Sequence, residues 1–404
     1  MSSLLYLLLA ATITFQCWAL SLNEVRDLAV QNSSALKSKD MESIALGSEK
    51  NLRGKWQNPQ LMGQVGSLKS AGQVGSTIEF SLVQAVPLSD KFGLRRELAE
   101  LALQSQMKEK KYFTHWVEHE ALLASWRVLV ARELYSHGIE RAERIKLIQK
   151  YLLTHPRVSI RQKVEQAIIS SLVLQLQKMQ DQKKHDLFQA EKELSYWIGR
   201  DIKADEIAFQ FPDEKRVFIP VEDKTIDDIE LILAKNQLEI SKIDAEMAKK
   251  ERRPDLFLGA GYRVENVIPQ NQFSYGVIGL NIPIWDTGAL RSEASRARVK
   301  RDEKILEESQ KKVVLKHQKQ LEMVQYFLSQ VRRFPNRLLN QQEQSIHQAE
   351  IGFKQGLIDV NTFLLSETQT HDVIDQIYLS WMGYLENLST LQLMRSEKFE
   401  WETK

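Results

Sequence analysis

Leu82-Val83-Gln84-Ala85-Val86-Pro87-Leu88-Ser89-Asp90-Lys91-Phe92-Gly93 and, much later, Leu280-Asn281-Ile282-Pro283-Ile284-Trp285-Asp286-Thr287-Gly288 decide how this chain is read. Each is the end of an alternating strand, closed by proline, followed by a polar turn with glycine and then by a run almost free of helix breakers. The two lie within residues 76–96 and 274–291, roughly 195 residues apart, a spacing that marks an internal duplication. A chain built this way joins a sheet to a long helix twice, in one body made of two similar halves.

Working outward, the strands before each proline alternate: Ile78, Phe80 and Leu82 against Thr77, Glu79 and Ser81, then Ile278, Leu280 and Ile282 against Val277, Gly279 and Asn281. Shorter strands with interior glycine are expected at 60–68 and 255–264, joined to them by polar loops at 69–75 and 265–272. Helices are expected before these, at 22–57 (Val25, Leu28, Ala29, Leu36) and 226–252 (Ile229, Ile232, Leu233, Ile240), where apolar residues recur at three- and four-residue spacing. They stop ahead of Pro59 and Pro254, because the residue before proline is pushed out of the helical region. Beyond the strand ends, residues 90–154 and 286–354 read as helical runs of ~95 Å at 1.5 Å per residue, the second bent at Pro335. Reversals follow at His155-Pro156-Arg157 and Gln355-Gly356-Leu357. The return helices carry apolar seams, Ile168, Leu172, Leu176 and Met179 in one, Ile377, Trp381, Tyr384, Leu385, Leu388 and Leu391 in the other.

Composition is that of a folded protein, with 55 lysines and arginines against 53 aspartates and glutamates, so no electrostatic footprint for nucleic acid is present. Residues 4–15 form an apolar run too short to span a bilayer and suited to a signal peptide, with Cys17-Trp18-Ala19 offering a cut after Ala19. A lipoprotein reading would acylate Cys17, although Gln16 places a bulky amide where a small residue is wanted. Cleavage after Ala19 leaves no cysteine in the mature chain, hence no disulfide and no thiolate chemistry. No other apolar run is long enough for a transmembrane helix, so a membrane crossing must use strands. Four strands of this length can cross a bilayer but cannot close a barrel, and an open edge is not tolerated in lipid. The barrel must be shared between chains, two copies giving eight strands and three giving twelve. The alternative is an exported coiled-coil spacer whose small sheet stays in water.

At the residues just quoted the chain resembles the TolC-like outer membrane efflux family, over essentially its whole mature length. Ala349-Glu350-Ile351-Gly352-Phe353-Lys354-Gln355-Gly356-Leu357-Ile358-Asp359-Val360 looks like the family's aromatic-x-x-Gly hairpin at the periplasmic tip, and Pro283-Ile284-Trp285-Asp286-Thr287-Gly288 like its strand-to-helix junction. Gln57-Asn58-Pro59-Gln60-Leu61 and the passage from Leu82-Val83-Gln84 to Gly93-Leu94-Arg95-Arg96 are similar to the family's heavy-metal branch. The resemblance implies a mostly helical fold with a small β part, four transmembrane strands per chain in a shared twelve-stranded barrel, and antiparallel coiled coils forming a periplasmic tunnel. It divides the chain into a signal peptide (1–19), a first repeat (20–199), a connector (200–224, with Pro212 and Pro220) and a second repeat (225–404). It further implies a homotrimer in the outer membrane that catalyses nothing, has no cofactor, and is the exit duct for an inner-membrane pump such as an RND transporter, joined through a periplasmic adaptor. The adaptor-facing tips would be His155, Pro156, Arg157, Val158 and Ser159, with Phe353, Gly356, Leu357 and Ile358. The barrel-to-tunnel junctions would be Pro87, Gly93, Pro283, Trp285 and Gly288. Two departures stand out: the positions where many relatives carry gate aspartates are Thr362 and Leu365, leaving Asp359 or Glu367 to substitute if they face the lumen, and the first tip has Pro156 in place of glycine.

Other motifs carry less. His115-Trp116-Val117-Glu118-His119 matches H-x-x-E-H, a zinc-peptidase spacing, but lies in a long helical run with no pocket-forming fold and is read as a chance match. A surface metal contact there has no support. Gly259-Ala260-Gly261 lacks the third glycine of a dinucleotide site and reads as a strand packed closely on a neighbour. Trp285, below a strand end, suits a membrane interface. Arg95, Arg96 and Arg291 read as capping the membrane edge or facing solvent.

Overall fold

The computed structural model describes residues 20–70, 73–154, 159–212, 214–220, 226–266, 270–280 and 287–402. Expectations for the signal peptide, the tip residues His155 to Val158, and the junction residues Pro283 and Trp285 lie outside them. The described chain forms two compact units: one from Lys37–Lys111 and Asp228–Val314, which holds the sheet, and one from Met1–Leu36, Tyr112–Asp227 and Leu315–Lys404, which is helical.

In the sheet unit, β1 (Gln60–Ser70), β2 (Gln73–Pro87), β3 (Asp255–Asn266) and β4 (Asn271–Leu280) form one antiparallel sheet in the order β1-β2-β3-β4. The two halves of the sequence meet at its centre, where β2 pairs with β3 from Ser76↔Asn266 to Pro87↔Asp255. The strands run further into the expected loops than the sequence pattern indicates, because ladder hydrogen bonds continue to Ser70↔Gln73 and Glu265↔Asn271.

Where a single helix was expected at 22–57, two form: α1 (Leu22–Asn32) and α2 (Ser34–Arg53). Ser33 adopts extended backbone angles (φ −64°, ψ 106°) and its Oγ accepts the Leu36 amide at 3.2 Å, so it caps α2 and ends α1 together. α3 (Lys91–Thr154) and α4 (Ile160–Ile198) make the first hairpin's arms, and α5 (Ile229–Lys250) starts on the Asp228 cap, whose carboxylate accepts the Glu230 amide at 2.8 Å. The second run is broken at Pro335 into α6 (Ala289–Arg333) and α7 (Arg337–Lys354), as proline's missing donor requires, and α8 (Val360–Leu393) returns. Trp381 Nε1 donates to Asn336 Oδ1 at 2.9 Å, holding the break in place. α3 and α6 each contribute residues to both units.

The core of the helical unit is aromatic. Trp126 lies between Phe209 (4.9 Å between centroids) and Phe211 (5.6 Å), with Trp401 at 6.0 Å. Residues after α4 supply part of this core, with Ile202, Ile207 and Val217 buried and Val217 bridged to Glu402. The α8 seam is buried as expected, from Ile377 through Leu391. The α4 seam is shifted: Ile169 and Leu176 are buried, with Leu172 half-buried, whereas Ile168 and Met179 stand exposed. Ile169 and Leu176 are seven residues apart, two helical turns, and join Ile145 and Ile148 of α3 in one cluster.

Candidate functional site

Strand register sorts the sheet's side chains onto two unlike faces. Pairs Leu61↔Leu82, Val65↔Ile78, Phe80↔Tyr262, Gln84↔Leu258, Leu256↔Leu280 and Leu258↔Ile278 share one face, which is apolar over most of its length. That face is open to solvent in the single chain: Leu61 is 73%, Val65 77% and Ile278 79% exposed. Fully burying side chains of this kind is worth about 1.5–3 kcal/mol each, so a sheet left like this demands a covering phase. The opposite face carries Gln60, Gln64, Thr77, Ser81, Glu265 and a charged cluster. In it Arg263 Nη2 donates to Glu79 Oε2 at 2.7 Å and the Tyr275 hydroxyl donates to Glu79 Oε1. Glycine is needed beneath this cluster, since a side chain at Gly261 would run into the Tyr275 ring; Gly259 likewise backs onto the Leu82 carbonyl. The Gly259-Ala260-Gly261 stretch is therefore a site of close approach. The outer edges of β1 and β4 have no strand partner among the described residues.

Below the sheet, two junctions carry the strands into helices. Pro87 ends β2, and the Asp90 carboxylate then accepts the Gly93 amide at 3.0 Å to cap α3. Any side chain on Gly93 would collide with that carboxylate. Ser89 Oγ donates to the Lys250 carbonyl at 3.3 Å, and Lys91 Nζ reaches the Arg253 carbonyl at 3.2 Å and Asp255 Oδ1 at 2.8 Å. The first junction is thus tied to the entry of β3. At the second, Gly288 opens α6 with φ +67°, and the stem of Arg252 stands 2.9 Å from where a Cβ would be.

In the helical unit, the α7–α8 hairpin turns on Gly356 (φ +74°), whose amide donates to the Phe353 carbonyl at 3.0 Å while Leu357 N donates to Gly352 O at 2.8 Å. Asp359 then caps α8 by accepting the Thr362 amide at 2.8 Å. Leu357 projects into solvent, 74% exposed, and Ile358 is half-buried. Phe353 is buried against Phe363 (5.6 Å) and Tyr151 (5.9 Å), so it supports the turn from below. Of the first tip only Ser159 is described, and it is exposed.

The two acids left open as gate substitutes are both committed elsewhere: Asp359 to the helix cap, and Glu367 to a buried cluster. Arg141 Nε and Nη2 each lie 3.0 Å from a Glu367 oxygen, and His371 Nε2 lies 3.1 Å from Oε1. Burial pushes the Glu367 carboxyl up, but the adjoining His371 ring and the Arg141 guanidinium outweigh it and hold the group below the ordinary carboxylate value. Thr362 and Leu365 are exposed.

The H-x-x-E-H histidines do not form a metal site. His119 is buried, its Nδ1 2.9 Å from Ser389 Oγ and its Nε2 3.1 Å from the Glu397 carbonyl, an arrangement that suits a neutral ring donating from Nε2. Burial holds its pKa down to about 4. His115 Nδ1 turns instead to Glu118, at 3.3 Å. Among the described residues no group of three or more His, Cys, Asp or Glu is placed to hold a metal, and no helix is long and apolar enough to cross a membrane. Trp56, which the sequence reading passed over, stands 59% exposed just before β1. Its position at a strand end was the available signal.

No family model matches the chain, and no curated protein matches it in sequence. Solved structures do match it in fold. A membrane protein from Pseudomonas aeruginosa superposes with a TM-score of 0.76 at 14% identity, over 94% of this chain and 90% of that one. CusC, whose structures follow folding and transmembrane channel formation, gives 0.75 at 11% identity, over 93% and 92%. The open MtrE outer membrane channel of Neisseria gonorrhoeae gives 0.72 at 14% identity, over 95% and 90%. The chain has the fold of outer membrane channels of the TolC kind, as its sequence motifs led one to expect.

Proposed function

We propose that the chain is a passive outer membrane duct: one third of a channel through which an inner-membrane transporter, engaged by way of a periplasmic adaptor, discharges its cargo. The observation that carries this reading is the sheet's continuous apolar face, open to solvent in the single chain and backed by a face bearing Glu79, Arg263 and Tyr275. Apolar side chains outward and polar side chains inward is what a membrane barrel requires, and a spacer standing in water would not display Leu61, Val65 and Ile278 on one face. Because the edges of β1 and β4 cannot face lipid unpaired, they pair with neighbouring copies, and three chains give twelve strands. Export on the signal peptide at 1–19 brings the chain to the outer membrane. In the helical unit, Ser159, Gly356, Leu357 and Ile358, together with His155 to Val158, form the adaptor's docking surface. The duct performs no chemistry, and metal ions, small organic molecules and polypeptides are all cargo classes it would admit.

Fractionation tests the reading. The protein should remain with outer membranes through alkaline carbonate and urea washes and run as a heat-resistant trimer in mild detergent. Release into the wash as a monomer would remove the duct and favour the spacer.

A further inference from the structure

The helix ends under the sheet are strongly basic. Residues 53–55, 90–97, 249–255 and 287–298 hold twelve lysines and arginines against five aspartates and glutamates. Three of the bases are neutralised, Lys91 by Asp255, Arg291 by Glu251 and, at 4.0 Å, Lys250 by Asp90. The excess remains exposed, Arg53 and Lys55 at the end of α2, and Lys249, Arg252 and Arg253 at the end of α5. Cations at a helix C-terminus are explained by the helix dipole alone. The dipole does not account for Arg96, exposed in the second turn of α3, or for Arg296 and Arg298, exposed in the third turn of α6, since its reach ends within the first turn. With the bases at the ends of α2 and α5 they leave an exposed cationic band under the sheet.

The neighbouring side chains say what this band meets. Trp56 is exposed and stacks on Phe92 (6.3 Å, 13° between planes), and the Arg95 guanidinium lies 6.0 Å over the Phe92 ring. Gln84, on the apolar face of the sheet, donates to the Gln57 carbonyl at 2.9 Å, which places this aromatic pair at the lower rim of that face. An apolar band, then aromatic rings, then cations is the order met on passing from the hydrocarbon of a bilayer to its headgroups.

We infer that these helix ends form a basic collar that binds anionic phospholipid headgroups of the leaflet beside the helical side of the barrel, with Trp56 and Phe92 at the interface. The inference rests on the barrel reading above. Basic residues near a membrane surface each contribute through charge attraction that salt screens, so the collar gives a lipid preference that is lost at high ionic strength.

The test uses the full chain refolded into vesicles containing brominated phosphatidylglycerol or brominated phosphatidylcholine, read by quenching of tryptophan fluorescence. The wild type should favour phosphatidylglycerol by about tenfold at low salt, close to equality at ~0.5 M salt. Replacing Arg53, Arg95, Arg253 and Arg298 together by glutamine should abolish the preference, and the same four replaced by lysine should keep it. A wild type quenched equally by both lipids, or a glutamine variant that retains the preference, overturns the collar while leaving the barrel intact. A wild type quenched by neither lipid has not inserted, and overturns barrel and collar together.

Discussion

At the scale of single residues, two buried groups set how the helical unit responds to acid. Glu367 is held ionised below its ordinary range, so its contribution is present above about pH 4.5 and is lost as pH falls through the depressed value. Glu367→Ala leaves the half-buried Arg141 without its main partner and should cost about 3 kcal/mol, seen as a lower unfolding temperature at pH 7, with the gap to the wild type narrowing as pH falls through the depressed value. His119 acts in the next window. Its pKa falls from 6.5 unfolded to about 4 folded, so the unfolded state takes up the proton first and stability declines as pH drops from 6.5 toward 4, by roughly 3 kcal/mol in all. His119→Gln should start less stable at pH 7 but show a flat profile across that interval in thermal unfolding followed by circular dichroism. A slope unchanged by the substitution would assign the acid sensitivity to other groups. Neither role was legible in the sequence: Glu367 reads there as a candidate gate acid, and His119 as half of a chance zinc motif, because only tertiary packing brings Arg141, Ser389 and the Glu397 carbonyl to them.

At the scale of elements, the strand and the hairpin make separable predictions. Phe80→Arg on the apolar face, in the middle row of the sheet, should prevent stable insertion, at a cost of about 2–4 kcal/mol per chain near the bilayer midplane, and Thr77→Arg on the opposite face should be tolerated; protein recovered in washed outer membranes reports both. Equal recovery of the two would show that neither face meets lipid. At the tip, Leu357→Glu keeps the turn geometry, which depends on Gly356 at φ +74°, and alters only the exposed surface. It should leave the trimer heat-resistant and sharply reduce export; unaltered export would place the adaptor elsewhere. The strands, the Pro335 break and the glycine turn could be read from the chain, because period-two alternation, proline and a glycine before a cap are local signals. The break at Ser33 and the shifted α4 seam could not, since serine caps a helix only where the chain turns to meet another element, and Ile168 and Ile169 are equivalent until α3 is in place.

At the scale of the molecule, the duplication visible in the sequence acquires a physical role in the sheet, where β2 of one half and β3 of the other form the central pair and each half leaves one edge open. Among the described residues nothing covers the edges or the apolar face, and in the proposed duct three chains in a bilayer would satisfy both requirements. The most direct test of this claim is single-channel recording of the purified full chain in a planar lipid bilayer. The account predicts discrete, reproducible conductance steps from a trimer, present in the wild type and absent for Phe80→Arg. A wild type that stays silent across voltage and salt, with the trimer verified in the membrane, would contradict it.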